Sequence, residues 1–150
     1  TGWRIGYVGA PERIISRMKK IQSQSTSNPC SISQAAATAA LNGDQSALKG
    51  MVAEFKKRHD FVVEQLNRID GIDCNPAEGA FYSFPEASKL IARLDGINND
   101  IELAEYMLDK AGIAVVPGSA FGLDNYIRLS FATSMNNLEA AMAKLQKLFG

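Results

Sequence analysis

The apolar residues change period near Gly71, and that change limits what this chain can fold into. Leu48, Met51, Val52, Phe55, Val62, Leu66 and Ile69 recur at helical spacing, with Lys56, Lys57, Arg58 and Glu64 largely opposite. Asp70-Gly71 ends this long amphipathic helix. Short strands and helices then alternate: residues 72–75, 80–84, 113–116 and 126–131 read as strands. Residues 102–111 read as a helix capped at Asn99 or Asp100 and stopped by Gly112, and 136–149 as a terminal helix striped by Leu138, Met142, Leu145 and Phe149. A chain so patterned is α/β, with α+β character in its second part.

Before the long helix the pattern differs. Residues 5–8 read as a short buried strand closed by Gly9, and Pro11 opens a helix striped by Ile14, Ile15, Met18 and Ile21. Residues 22–28 are polar and read as a loop. Asn28-Pro29 then starts an alanine-rich helix over 32–41, stopped by Gly43; its small side chains suit close packing in a core or at a subunit contact. Two structural parts follow: residues 1–47 as the end of one domain, and 48–150 as a second unit entered through the long helix.

Charge narrows the partners. Sixteen Lys and Arg balance sixteen Asp and Glu, which argues against nucleic acid or an anionic membrane surface. Residues 1–30 hold five basic residues against Glu12 alone, so the basic excess sits at one end, where Arg13, Arg17, Lys19 and Lys20 read as a solvated helix face. No apolar run approaches the twenty or so residues of a bilayer span, and no signal-peptide pattern opens the chain. Cys30, Cys74 and a single His59 are too few for a disulfide framework or a protein-built zinc site, so the expected location is intracellular. His59 reads as a surface residue. The start at Thr1, without Met and inside an apolar stretch, leads us to expect a piece of a longer protein.

Two arginines could carry chemistry. Arg4 lies between Trp3 and Ile5, where a guanidinium needs an anionic partner. Arg128 lies in Tyr126-Ile-Arg-Leu-Ser-Phe131, and period-two alternation puts it with Tyr126 and Ser130 on the face opposite Ile127, Leu129 and Phe131. A guanidinium fork on a rigid strand suits bidentate grip of a carboxylate, and equally an ion pair with a surface acid at a sheet edge. The loop over 117–122 contains glycines but no Walker lysine and reads as a turn. No Ser/His/Asp set is available.

Taken in order, Thr1-Gly-Trp-Arg-Ile-Gly-Tyr7, Ser27-Asn-Pro with Gln34, Gly79-Ala-Phe-Tyr82, Pro117-Gly-Ser-Ala-Phe-Gly122 and Ile127-Arg-Leu-Ser-Phe131 resemble the class I aminotransferases of the aspartate aminotransferase family, fold-type I pyridoxal 5′-phosphate (PLP) enzymes. The resemblance runs end to end. It implies the last elements of the large PLP-binding domain over 1–47 and the small domain over 48–150. It assigns Arg4 to the PLP phosphate and Arg128 to the substrate α-carboxylate, and brings Ser27 and Asn28 toward the neighbouring subunit's active site in a homodimer. Phe81, Tyr82 and the 117–122 loop resemble elements near the substrate mouth, without an assigned chemical role. The Schiff-base lysine of the family falls four residues upstream of the position of Thr1, so these 150 residues are expected to be inactive alone. The implied reaction of the parent protein is cytoplasmic amino transfer, from aspartate first, to a 2-oxo acid such as 2-oxoglutarate. Three other readings share the resemblance: a PLP-dependent lyase or aminocyclopropane carboxylate synthase, the PLP-sensing domain of a transcription regulator, and a structural paralogue without activity.

Overall fold

The computed structural model describes residues 2–150; Thr1, the first residue of the Thr-Gly-Trp-Arg motif, lies outside the described residues. The chain forms two compact units, Thr1–Leu48 and Lys49–Gly150.

In the first unit, helices α1 (Glu12–Ser25) and α2 (Ser31–Asn42) follow an irregular segment. Pro11 opens α1 as its fixed φ requires, and Glu12 places an acid at the positive end of the helix. Three expectations are corrected here. Residues 5–8 form no strand, and Tyr7 and Val8 are exposed; among the described residues no neighbouring strand runs beside them, so their N–H and C=O groups have no ladder to join. The polar stretch from Gln22 is helical as far as Ser25, because nothing before Thr26 breaks the α1 hydrogen bonding. The alanine-rich helix α2 is not buried in a core: it is exposed apart from Ser33 and the half-buried Ala36 and Ala37, and the subunit-contact alternative is untouched by this.

Helix α3 (Ser46–Leu66) is the long amphipathic helix, and the unit boundary falls within its first turn. Only the later part of its stripe is buried: Val62 and Leu66 enter the core, whereas Leu48, Met51 and Val52 stay exposed.

The second unit holds the hydrophobic core. A small antiparallel sheet, in the order β1 (Tyr82–Ser83), β3 (Ile127–Ser130), β2 (Val116–Pro117), supplies Ile127 and Leu129. Residues 72–75 contribute a single bridge, Asp73 to Glu86, and no strand; the backbone turns at Gly71 just before them, and Pro76 just after them has no N–H for a ladder. Helices α4 (Ser88–Arg93), α5 (Asp100–Ala111) and α6 (Met135–Phe149) add Leu90, Leu103, Met107, Leu138, Met142, Leu145 and Phe149. Asn99 caps α5 by accepting the Glu102 N–H at 2.9 Å, and Gly112 ends it in the left-handed conformation. Ser134 caps α6 through the Asn137 N–H. At Gly71, with φ of 87°, an added Cβ would lie 2.6 Å from the Leu90 amide nitrogen, so α4 packs directly on this turn.

Candidate functional site

Both sequence-selected arginines lack a carboxylate partner among the described residues, and each sits in a place built by its own unit.

Arg4 occupies an irregular segment with φ of 51°, and Ser27 has φ of 63°. Left-handed backbone at a residue with a Cβ is disfavoured by about 1 kcal/mol or more, and it persists where its surroundings enforce it. One such constraint is visible: the buried Ser33 hydroxyl of α2 donates to the Trp3 carbonyl at 2.8 Å, pinning the residue before Arg4. Arg4 and Asn28 line one open groove of about 910 Å³, together with Tyr7, Met18, Lys19 and Gln22. The expected buried strand is absent, so Arg4 is exposed. The structure brings Arg4 and Asn28 together; the Ser27 side chain is not among the groove-lining groups. An exposed guanidinium without an acid beside it fits a phosphate in charge and donor geometry. That is the part of PLP this unit can be matched to.

Arg128 projects from β3 as the alternation requires: Ile127, Leu129 and Phe131 are buried, while Tyr126 and Arg128 are half-buried on the other face and Ser130 is exposed. Its guanidinium carbon lies 4.4 Å from the centre of the Tyr82 ring and 4.3 Å from that of Phe121. Tyr82 arrives from the neighbouring strand, since β1 pairs Tyr82 with Ser130. Phe121 arrives from the 3₁₀ turn Gly118–Phe121 that follows β2. The turn is shaped by Gly118, where a Cβ would fall 2.8 Å from the Tyr126 carbonyl oxygen, and by Gly122 at φ of 79°. Phe84 stacks on Tyr126 at 5.2 Å and meets Phe121 edge-on at 6.1 Å, extending the aromatic wall. Of the two roles left open by the sequence, an ion pair with a surface acid is not formed. Grip on a carboxylate from outside the described residues is the role that stays open.

Asp100, which the sequence marks only as a possible helix cap, is a buried carboxylate tied to the turn that carries Phe121. It is 2% exposed, and its Oδ2 accepts the Ser119 N–H at 2.7 Å. Burial pushes its carboxyl up, but hydrogen bonds from Ser119, from its own backbone and from Asn125 outweigh burial and hold it below the ordinary carboxylate value. His59 is also corrected: it is half-buried rather than a surface group. Its Nε2 accepts the Ala77 N–H at 3.0 Å, Nδ1 faces Asp60 Oδ1 at 3.0 Å, and its ring meets Phe131 at 5.6 Å. Cys74 is a buried thiol pushed up to about 11, first by burial, and Cys30 is exposed; the two are unbridged. No group of metal-ligating side chains occurs among the described residues, and none of their helices is long and apolar enough to cross a membrane.

The model of the aminotransferase class I and II family matches residues 1–145, and the chain belongs to that family. It is 52% identical to the aspartate/prephenate aminotransferase of Nitrosomonas europaea over 99% of this chain and 38% of that protein. It is 48% identical to an aspartate aminotransferase of Rhizobium meliloti over 97% of this chain and 36% of that protein. The chain thus spans little more than a third of these relatives. The crystal structure of the aspartate aminotransferase from Rhizobium meliloti superposes with a TM-score of 0.78 at 47% identity, over 96% of this chain and 37% of that one. An alanine aminotransferase from Pyrococcus furiosus gives 0.79 at 31% identity, over 99% of this chain and 38% of that one. The fold is accordingly a part of the α/β PLP-dependent transferase fold.

Proposed function

We propose that this chain belongs to a PLP-dependent aminotransferase that moves the amino group of aspartate to a 2-oxo acid such as 2-oxoglutarate. The observation that carries the reading is Arg128, whose guanidinium carbon lies within 4.4 Å of two aromatic ring centres and which pairs with no carboxylate among the described residues. The rings of Tyr82 and Phe121 displace part of the water around it, so its donors meet a substrate α-carboxylate with less screening. Holding that carboxylate fixes the orientation of the neighbouring Cα, where the reaction occurs. Arg4 would hold the phosphate of PLP, and Asn28 shares its groove. PLP, when bound, supplies the electron sink that makes the Cα proton removable.

In this reading residues 1–47 belong to the large cofactor domain and 48–150 to the small domain. The protein works as a cytoplasmic homodimer, in keeping with its unbridged cysteines and with the exposed apolar Trp3, Tyr7, Val8, Ile21 and Ile32 of the first unit. Ser27 and Asn28 face the neighbouring subunit. The 150 residues alone are inactive, because none of their lysines stands where the family carries its cofactor.

The test uses the full-length protein, mixed with PLP and scanned in the visible region before and after aspartate is added. A band that forms and bleaches on aspartate is the expected result. A band indifferent to aspartate moves another amino donor or the regulator reading to the front, and the absence of a band removes the enzyme. Arg128→Lys is expected to raise the KM for aspartate about ten- to a hundredfold, as loss of a bidentate charged contact requires. Steady transamination by the 150-residue chain alone would contradict its predicted inactivity.

A further inference from the structure

Phe121 is one of the two rings against Arg128, yet nothing in its own burial fixes it: it is 50% exposed. Its position comes from the 3₁₀ turn that carries it. That turn is tied to the rest of the unit by two backbone N–H groups. Gly118 donates to the Tyr126 carbonyl at 2.7 Å, which ties the turn to β3. Ser119 donates to the Asp100 carboxylate at 2.7 Å, which ties it to the first turn of α5.

Asp100 is free for this second task because its helix is capped by others. Asn99 accepts the Glu102 N–H, and Glu102 in return accepts from the Asn98 backbone and from both the Asn98 and Asn99 side chains. A buried carboxylate is costly unless hydrogen-bonded, so the Asp100–Ser119 contact is held tightly on both sides. The chain of contacts runs from Asp100 through Ser119 to Phe121 and then to the guanidinium.

We propose that Asp100 is a positioning residue for Arg128, holding the Gly118–Phe121 turn so that Phe121 stays against the guanidinium. The proposal rests on Arg128 gripping the substrate carboxylate. Asp100 touches no substrate; it acts on binding through Phe121, and on turnover hardly at all.

The experiment uses the full-length holoenzyme with aspartate as substrate and compares Asp100→Ala, Asp100→Asn, Phe121→Ala, the Asp100→Ala/Phe121→Ala pair and Arg128→Lys. Asp100→Ala is expected to raise KM about tenfold with kcat within about twofold, the scale of one lost charge-assisted hydrogen bond. Asp100→Asn keeps the shape and a neutral acceptor, so it should recover most of the loss; it also serves as the test if the alanine variant does not fold. In the Phe121→Ala background, Asp100→Ala should change KM no further, because the wall it holds is already gone. A merely structural Asp100 would lower Tm without this dependence on Phe121. An equal rise in KM in both backgrounds overturns the proposal, as does an unchanged KM in Asp100→Ala while Arg128→Lys raises it. If Arg128→Lys itself leaves KM unchanged, the carboxylate reading fails first and takes the positioning role with it.

Discussion

Arg128 shows how far a single residue can be read from a sequence. Its face of the strand follows from period-two alternation alone, and Ile127, Leu129 and Phe131 are buried as that alternation demands. Its walls do not follow, because Tyr82 and Phe121 reach it from distant positions through sheet pairing and a 3₁₀ turn that no local pattern marks. Arg4 was read from a motif, while its left-handed backbone has no signature in the residue type. Arg4→Gln in the full-length protein should weaken PLP binding about tenfold or more, measured by titrating the visible band, with a smaller change in the KM for aspartate. Asp100 carries a pH dependence. Its folded-state value lies below its unfolded value, so its contribution to stability is complete above about pH 4 and is lost as pH falls through the lowered folded value. The Tm difference between the native sequence and Asp100→Asn should be constant near neutrality and shrink below about pH 4. A difference that grows on acidification would reverse the sign argued here.

At the scale of elements, those with a stripe or a cap were legible. Helix α5 lies between Asn99 and Gly112, because a capping side chain and a left-handed glycine act over a few residues; α6 is legible from its stripe alone, and its Ser134 cap emerges only in the structure. Helix α4 leaves no mark in the sequence: it is six residues long, too short to show a period, and it packs directly on the Gly71 turn. Gly71→Ala is therefore expected to destabilise the protein by about 2 kcal/mol or more, since it meets both positive φ and the Leu90 backbone; chemical denaturation would measure it. Leu66→Ala, at a fully buried position of α3, should cost about 2–5 kcal/mol by the same measurement, whereas Met51→Ala, exposed on the same stripe, should cost well under 1 kcal/mol. A helical period thus marks a face without saying how much of it is covered.

At the scale of the whole molecule, burial divides the chain unevenly. Every residue of the hydrophobic core lies between Val62 and Phe149, and in the first unit only Ser33 is buried among the described residues. Composition could not reveal this, since Ile14, Met18, Ile21 and Ile32 are as apolar as any core residue. What covers a stripe depends on segments elsewhere in the fold. Residues 49–150 expressed alone are expected to unfold cooperatively on heating, as a calorimetric transition would record; residues 1–48 alone should give none. A small sheet of this kind also faces a hazard while the protein is being made, because both of its outer strands offer unpaired backbone to passing chains. Strand β2 answers it with Pro117. Gly118 turns its N–H inward to Tyr126, so by alternation the amide position of residue 117 points outward, and proline has no hydrogen to present there. The outer edge of β2 is thus blunted at Pro117 against pairing with a further strand, which disfavours edge-to-edge aggregation.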